Sequence, residues 1–591
     1  MLSFINCGGN MSGNIPRPEY PRPDRLRGDW INLNGYWRFC FDDYELGEKE
    51  KWFLDIDRLD EKILVPFPFQ SKLSGIHDEC FHDIVWYAKE FKIPEKFLDK
   101  RIFLNFGAID YISKIWFNGR LVGQHIGGYD PISLEVSDLV KEKNIVVVEA
   151  IDRHGDQPRG KQDSRLHPCG CRYMRVTGIW QTVWMDVVGK TFIKNFYVTP
   201  DIDNGKILLN VNIDGDILNK LLEVRVFFNS SEIFSQKFDI SSNTMMLSIP
   251  ISYLKLWTPE TPDLYKIRLS IMGDGNTIDM VEGYFGMRKI SISRDKILLN
   301  NKPIYLKMAL DQGYFIDGIY TAPSDEDLRR DVEYAKQLGL NGVRKHQKPE
   351  DPRYFYWCDK IGLLVWEEMS DWGMSLKTGN LEMFWSQLRN IILRDFNHPS
   401  IIVWVPFNER NIHDDIMGQK FVLEIYRRIK NLDKTRLVVD NSGYMHTETD
   451  IVDIHDYSGW LGGMQIKKLW DKYRKEGGIP PSPHRPLMAK GFKYKGQPIV
   501  ISEMGGWGIK KYMPIVKRPP AYYGNILEDE YEFLSKYRDV VLTFGEYDEI
   551  SGFCYTQLYD VEGEVNGYLT YDRRWKIDPY KVREIHEKMG R

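Results

Sequence analysis

The chain has 591 residues, far more than one hydrophobic core serves, so three or four domains are expected. Its 42% hydrophobic and 28% charged content is that of a soluble globular protein, and a formal net charge of −4 gives no reason to expect nucleic acid or an anionic membrane as partner. Aromatic residues reach 13%, a share that suits β-rich cores and sugar-binding surfaces alike.

The opening stretch MLSFINCGGNMSGNIPRPEYPRP has no basic start and no sustained apolar run, unlike a signal peptide. No later run approaches the ~18 apolar residues of a membrane span. The seven cysteines are scattered and odd in number. Together these features predict a reduced, cytoplasmic protein, with monomer and homo-oligomer both open.

Residues 1–190 read as strands: YAKEFKI, RIFLNFGAI, SKIWFNGRLVG, NIVVVEAID and WQTVWMDVV. Each is short and rich in β-branched and aromatic residues, and turn formers such as Asn118-Gly119 separate them. An all-β sandwich or jelly roll is expected. The polar stretch Arg153–Met174 is long for a loop inside such a sandwich. It either contributes to a substrate cleft, through Asp163 or Arg165, or is an inert surface loop. Within it Cys169 and Cys171, with His167 nearby, form half of a metal pattern and lack a second cluster.

Residues 191–288 carry ILLNVNI, LEVRVFF, MMLSIPI and LYKIRLSIM, the spacing of an immunoglobulin-like sandwich without a disulfide. Three prolines in LWTPETPDLY cannot sit in a central strand and interrupt it.

From residue 289 strands and helices alternate to the end at 591. SDEDLRRDVEYAKQLGL has a helix start at Ser324; NGVRKH, LLVWEEM, IIVWVPFNE, RLVVDN, IVDIHDY, PIVISEMG and ISGFCYTQLYD read as strands. IIVWVPFNE does not alternate with polar residues, so both of its faces are covered. This grammar predicts a (β/α)8 barrel. A doubly wound sheet would want a glycine-rich phosphate turn, and none is present.

Several of these strands end in polar residues: Arg344 and His346, Glu367 and Glu368, Asn408 and Glu409, His455 and Tyr457, and Glu503. One such carboxylate is often a cap or an ion-pair partner. The same placement on several strands points to one catalytic mouth, since barrel strands end there. Two carboxylates in a polar cleft, without a Ser-His pair or clustered cysteines, suit glycoside hydrolysis. One carboxyl donates a proton to the leaving oxygen while the other, ionised, attacks the anomeric carbon or activates water. A metal-dependent hydrolase would want a cluster such as H-E-x-x-H, which is absent.

At these residues the chain resembles glycoside hydrolase family 2, the family of β-galactosidases, β-glucuronidases and β-mannosidases. DFNHPSIIVWVPFNER is similar to its acid/base signature and PIVISEMGG to its nucleophile strand. NGRLVGQHIGGYDP and TGIWQTVWMD resemble its sugar-binding β-domain, and LWTPETPDLY and YFGMRKI its immunoglobulin-like domain. The resemblance implies a retaining mechanism in which Glu409 is the acid/base, Glu503 the nucleophile, and Asn408 a hydrogen-bond partner of the sugar 2-hydroxyl. It also implies that Tyr457 and Arg344 lie beside Glu503 and help keep it ionised.

Departures from the family pattern bear on specificity. Val405 stands where Gly or Ser is usual. NGVRKHQKP places His346 one position early, so that Lys345 or Gln347 could take the family's histidine place, or His346 could support a neighbour. Asp311 either accepts from a sugar hydroxyl or caps its turn. Tyr555 and Trp507 are each either sugar-site aromatics or ordinary core. Asn566 matches the family's glucuronide-gripping Asn-x-Lys, but Tyr568 replaces the lysine, which argues against a glucuronide. The magnesium-binding Glu-x-His of large β-galactosidases has no match after WEEMSDWG, so no metal and no cofactor are expected.

The expected function is an exo-acting retaining β-glycosidase on an oligosaccharide or glycoside, with β-galactoside favoured. β-Mannoside, β-glucuronide and other β-glycosides stay open. A non-catalytic carbohydrate-binding protein is the alternative of another class.

Overall fold

The computed structural model describes residues 15–513 and 520–590. The opening stretch read above therefore lies outside the described residues as far as residue 14. Among the described residues no helix is long and apolar enough to cross a membrane.

The first domain is a sandwich of a six-stranded and a four-stranded antiparallel sheet. Period two is plain in the strand Lys143–Ile151. Val146, Val148 and Ala150 enter the core between the sheets, while Val147 turns to the opposite face and packs with Trp86 and Trp116. The second domain packs a three-stranded sheet on a four-stranded one. Its strand Lys206–Asp214 alternates strictly, burying Ile207, Leu209, Val211 and Ile213 on one face.

The third domain is the barrel. Its strands are β1 (Leu306–Asp311), β2 (Gly342–Lys345), β3 (Leu364–Glu368), β4 (Ile401–Val405), β5 (Leu437–Val438), β6 (Val452–Asp456), β7 (Ile499–Met504) and β8 (Ile550–Tyr555). They are parallel and joined in the order β5-β4-β3-β2-β1-β8-β7-β6. Seven helices follow them: α1 (Asp325–Gln337), α2 (Pro352–Ile361), α3 (Leu381–Asp395), α4 (Ile416–Leu432), α5 (Gly463–Glu476), α6 (Glu530–Gly545) and α7 (Pro579–Lys588). The β5–β6 connection has no helix, and no strand ladder joins those two strands.

Backbone and side-chain bonds close that seam instead. Asp450 N–H donates to Val438 O at 2.9 Å, and Gly443 N–H to Asp453 Oδ1 at 3.2 Å. His446, fully buried, sits between Asp440 (2.7 Å) and Asp453 (3.3 Å).

The interior of the barrel is apolar. Val405 lies there with Leu310, Trp366, Val439, Val500 and Cys554. A methyl-bearing side chain at this position fills the layer of the core beneath the catalytic mouth. Trp404, one residue earlier, faces outward and bonds Asp433 at 2.9 Å.

Candidate active site

Strand alternation decides which polar residues reach the mouth. On β2, Arg344 points into the barrel, whereas Lys345 points out and pairs with Asp311 (2.9 Å) and Glu350 (2.8 Å). On β3, Glu368 points in; Glu367 points out, 3.7 Å from Arg394, where burial and Asp395 push its carboxyl well up.

Arg344, fully buried, is the hub. It donates to Glu368 Oε1, to Glu503 Oε1 at 3.1 Å and to Asn408 Oδ1 at 2.6 Å. The same guanidinium lies 3.1 Å from His455 Nε2. Tyr457 donates its hydroxyl hydrogen to Glu503 Oε2 at 2.6 Å. Glu503 is thus held on both oxygens.

Glu409 follows β4 after Pro406, Phe407 and Asn408, with a left-handed φ of 54°. That conformation is costly for a residue with a Cβ and recurs at functional sites. It is pinned by Glu409 N–H donating to Ser442 O at 3.0 Å. His455 Nδ1 lies 2.7 Å from Glu409 Oε1 and 3.4 Å from Glu503 Oε2. Gly443 (φ 103°) makes room for this ring, since a Cβ there would lie 2.6 Å from Nδ1. One ligand atom from each of Glu409, His455 and Glu503 lies within 4.8 Å of the others. Among the described residues no other group of three metal-ligating side chains is so close, and Cys169, Cys171 and His167 belong to none.

Charge is distributed unevenly over this trio. Burial alone raises the Glu409 carboxyl, but the bond and charge of His455, with the charge of Lys161, hold it at about 2. Burial disfavours the His455 imidazolium, yet the Glu503 and Glu409 carboxylates raise it overall. These directions favour a proton on His455 over one on Glu409.

His346 bonds Glu368 Oε2 through Nδ1 at 2.8 Å, and its Nε2 has no partner. Burial, Lys161 and Arg344 keep this ring neutral. Gln347, whose N–H donates to Glu368 at 3.0 Å, also bonds Asp371. Asn408 spends Oδ1 on Arg344 and leaves Nδ2 buried without a partner among the described residues.

Three expected site residues lie elsewhere. Asp311 is fully buried and already accepts from Lys345, Tyr559 and the N–H of Gly313 on Oδ1 and from Tyr354 on Oδ2, so it is engaged with the protein itself. Trp507 and Tyr555 are core: 1% and 0% exposed, packed on each other and on Phe533.

Sequence reasoning missed other residues of the cleft. Trp372 donates Nε1–H to Asn408 O at 2.9 Å, and Tyr523 stacks on Tyr457 with ring centroids 4.3 Å apart. The stretch Arg153–Met174 does reach the mouth, through a different residue from those expected. Asp163 is buried and occupied by Arg165 and Cys169 N–H. Lys161 instead places Nζ 4.6 Å from the Trp372 ring centre. Gly160 is the contact point with the barrel: a Cβ there would lie 2.2 Å from Gln347 O. The glycine immediately before a lysine in a polar loop was the available signal.

Residues 290–590 match the family description "Glycosyl hydrolases family 2, TIM barrel domain". Residues 31–183 match its sugar binding domain and 191–288 the remaining family 2 domain. The chain belongs to glycoside hydrolase family 2.

Family 2 relatives carry two names. A β-galactosidase of Thermoanaerobacter pseudethanolicus is 25% identical over 476 residues, 76% of this chain and 60% of its own length. A β-glucuronidase of Streptococcus agalactiae is 22% identical over 526 residues, 82% of this chain and 84% of its own. The chain spans 49% of a putative β-glucuronidase of Formosa agariphila, at 28% identity over 66% of this chain. Among solved structures, the Ruminococcus gnavus β-glucuronidase in complex with D-glucuronic acid matches with a TM-score of 0.76 at 21% identity, over 96% of this chain and 99% of that one. The Bifidobacterium dentium β-glucuronidase matches with a TM-score of 0.78 at 18% identity, over 97% and 98%. These likenesses are of fold.

In this family 2 chain the segment around Asn566 is turned inward. Asn566 Nδ2 donates to Glu564 at 3.0 Å, and Tyr568 is fully buried against Tyr537 and Tyr555. Tyr568, at the place of the family's glucuronide-gripping lysine, therefore faces the core.

Proposed function

We propose that the chain is an exo-acting, retaining β-glycosidase with Glu503 as nucleophile and Glu409 as acid/base. The observation that carries this reading is the approach of the two carboxylates, whose oxygens come within 4.8 Å of each other. Retaining enzymes hold the pair about 5 Å apart, whereas inverting ones leave room for a water, at roughly 6.5–9.5 Å.

Each residue has a task in that reaction. Tyr457 and Arg344 each hold one oxygen of Glu503 and so fix the carboxylate for attack on the anomeric carbon. Glu409 takes the proton that rests on His455 and passes it to the departing oxygen, then reclaims one from water in the second half. Asn408 offers its free Nδ2–H to the sugar 2-hydroxyl, a bond that strengthens as positive charge develops at the ring.

β-Galactoside, the sugar favoured by sequence, is supported by relatives named β-galactosidase; β-glucuronide is supported by relatives and fold neighbours named β-glucuronidase. A panel of p-nitrophenyl α- and β-glycosides tests the class: cleavage confined to β-anomers supports it. Azide added to Glu503→Gly should yield an α-glycosyl azide from a β-substrate. A β-azide, or none, would assign the nucleophile elsewhere. Glycan binding without any turnover would favour the non-catalytic alternative.

A further inference from the structure

Resting on the retaining-glycosidase reading, we propose that Lys161 is a specificity-determining residue of the cleft and receives a negatively charged group of the substrate sugar, a carboxylate or a sulfate ester.

Among the described residues four lysines are buried: Lys161, Lys345, Lys348 and Lys576. Three have counter-ions. Lys345 has Asp311 and Glu350, Lys348 has Glu350, and Lys576 has Asp560 at 2.8 Å. Lys161 is the exception among them: it is 5% exposed, and its Nζ has no hydrogen bond or ion pair to any described residue. Burying an ammonium without a counter-charge is expensive, and a folded chain keeps one where something else supplies that charge.

The carboxylates that feel its charge are Glu564, Glu503 and Glu409, and each is already committed. Glu564 bonds Tyr173 and Asn566, Glu503 bonds Tyr457 and Arg344, and Glu409 bonds His455. Lys161 thus lies in the field of the catalytic pair, which helps keep the ammonium charged against burial without pairing with it directly. A second cation, Arg172, lies over the same Trp372 ring at 5.0 Å and also has no acceptor among the described residues. The indole supports both charges but cancels neither.

The placement is fixed rather than incidental. Arg159 N–H and Gly160 N–H both donate to Trp372 O, at 2.8 and 3.1 Å, and Tyr173 N–H returns to Lys161 O at 2.9 Å. A neutral sugar hydroxyl would leave the ammonium without a direct counter-ion; a carboxylate or sulfate makes a charge-assisted bond. A permanent cation here also works against the acid, because Lys161 helps strip Glu409 of its proton. An anionic sugar seated on Lys161 removes that opposition when the substrate arrives.

The test compares matched p-nitrophenyl substrates on the purified full chain: β-D-glucuronide, β-D-glucoside 6-sulfate and β-D-glucoside, with the galacturonide, galactoside 6-sulfate and galactoside as a second series. We expect kcat/KM for one anionic member to exceed its neutral counterpart at least ten-fold. In Lys161→Met that ratio should collapse on the order of a hundred-fold, and Lys161→Arg should restore part of it. The uronide and sulfate arms identify which anion is meant. A neutral preference in the wild type would overturn the proposal. So would a Lys161→Met variant in which both activities fall together and the pH profile shifts, since Lys161 would then only set charge on the carboxylates. If Lys161→Met fails to fold, Lys161→Gln and the stabilisation of the wild type by D-glucuronate against D-glucose in thermal melts decide the same point. No release of p-nitrophenol from any glycoside would sink the glycosidase reading and this proposal with it. Cleavage of neutral members alone would sink only this one.

Discussion

The guanidinium of Arg344 holds Asn408 Oδ1 at 2.6 Å, and this single bond sets which way the Asn408 amide points. With the oxygen spent, Nδ2 is the atom left to the cleft, and it has no partner there. Asn408→Ala should lower kcat/KM by about a hundred-fold, the usual effect of removing one donor that strengthens in the transition state. A 2-deoxy substrate should show much less of this loss. Equal losses on the 2-hydroxy and 2-deoxy substrates would separate Asn408 from the 2-hydroxyl.

Tyr457 and Glu503 are joined by a 2.6 Å bond whose donor is the phenol. Removing that hydroxyl in Tyr457→Phe leaves Arg344 alone to orient the nucleophile. Turnover should fall roughly ten- to hundred-fold, with the fall larger in kcat than in KM. An unchanged kcat would show that Arg344 suffices.

Glu409 and His455 share a proton, and their pH behaviour follows from the directions given above. Below the raised value of His455 the pair holds its proton; above it the proton is lost and the leaving oxygen has no donor. The alkaline limb of kcat/KM should therefore lie above the ordinary histidine range near 6.5. In His455→Gln only Glu409 remains to hold a proton, so the limb should drop toward the carboxylate range. A limb that stays in place would assign the proton to another group.

His446 carries a stability prediction. Burial opposes its charge, but Asp440 and Asp453 raise it from 6.5 to about 9. A group raised on folding contributes stability that is complete below its unfolded value and lost as pH climbs through its folded one. The contribution is on the order of 3 kcal/mol. His446→Asn should be less stable than the wild type at pH 6 by about that amount, and the gap should close near pH 9 to 10. Urea titrations at both pH values measure it, and a gap independent of pH would contradict the charged pairing.

Gly160 tests the contact between domains. With φ at 61° and backbone 2.2 Å from any added Cβ, Gly160→Ala must push the Arg153–Met174 stretch off the barrel. A stability loss of about 1–3 kcal/mol is expected. A rise in KM should accompany it, and wild-type kinetics in the variant would mean that the stretch does not shape the cleft.

The barrel and its catalytic pair were legible because parallel strands buried on both faces leave long apolar runs, and their polar ends stand out. Arg344, Asn408, Glu409, Tyr457 and Glu503 all carried that signal. Asp311 carried it too and is engaged elsewhere, because the preference of a carboxylate for Lys345, Tyr354 and Tyr559 depends on neighbours distant in sequence. Tyr555 and Trp507 were ambiguous for the same reason: an aromatic at a strand end looks alike whether it faces a sugar or Phe533. Lys161 was hidden because a lysine in a polar stretch reads as solvated. Only its folding onto another domain buries it.

The β5–β6 connection has neither helix nor ladder, and its place is taken by Asp440, His446, Asp453 and Ser442. Ser442 Oγ lies 3.3 Å from His455 Nε2, and His455 touches Glu409. The gap in the stave wall is therefore also the scaffold of the proton donor. A substitution made there for stability alone, far from any sugar, would retune the chemistry, and engineers seeking a sturdier barrel would do best to leave this joint untouched.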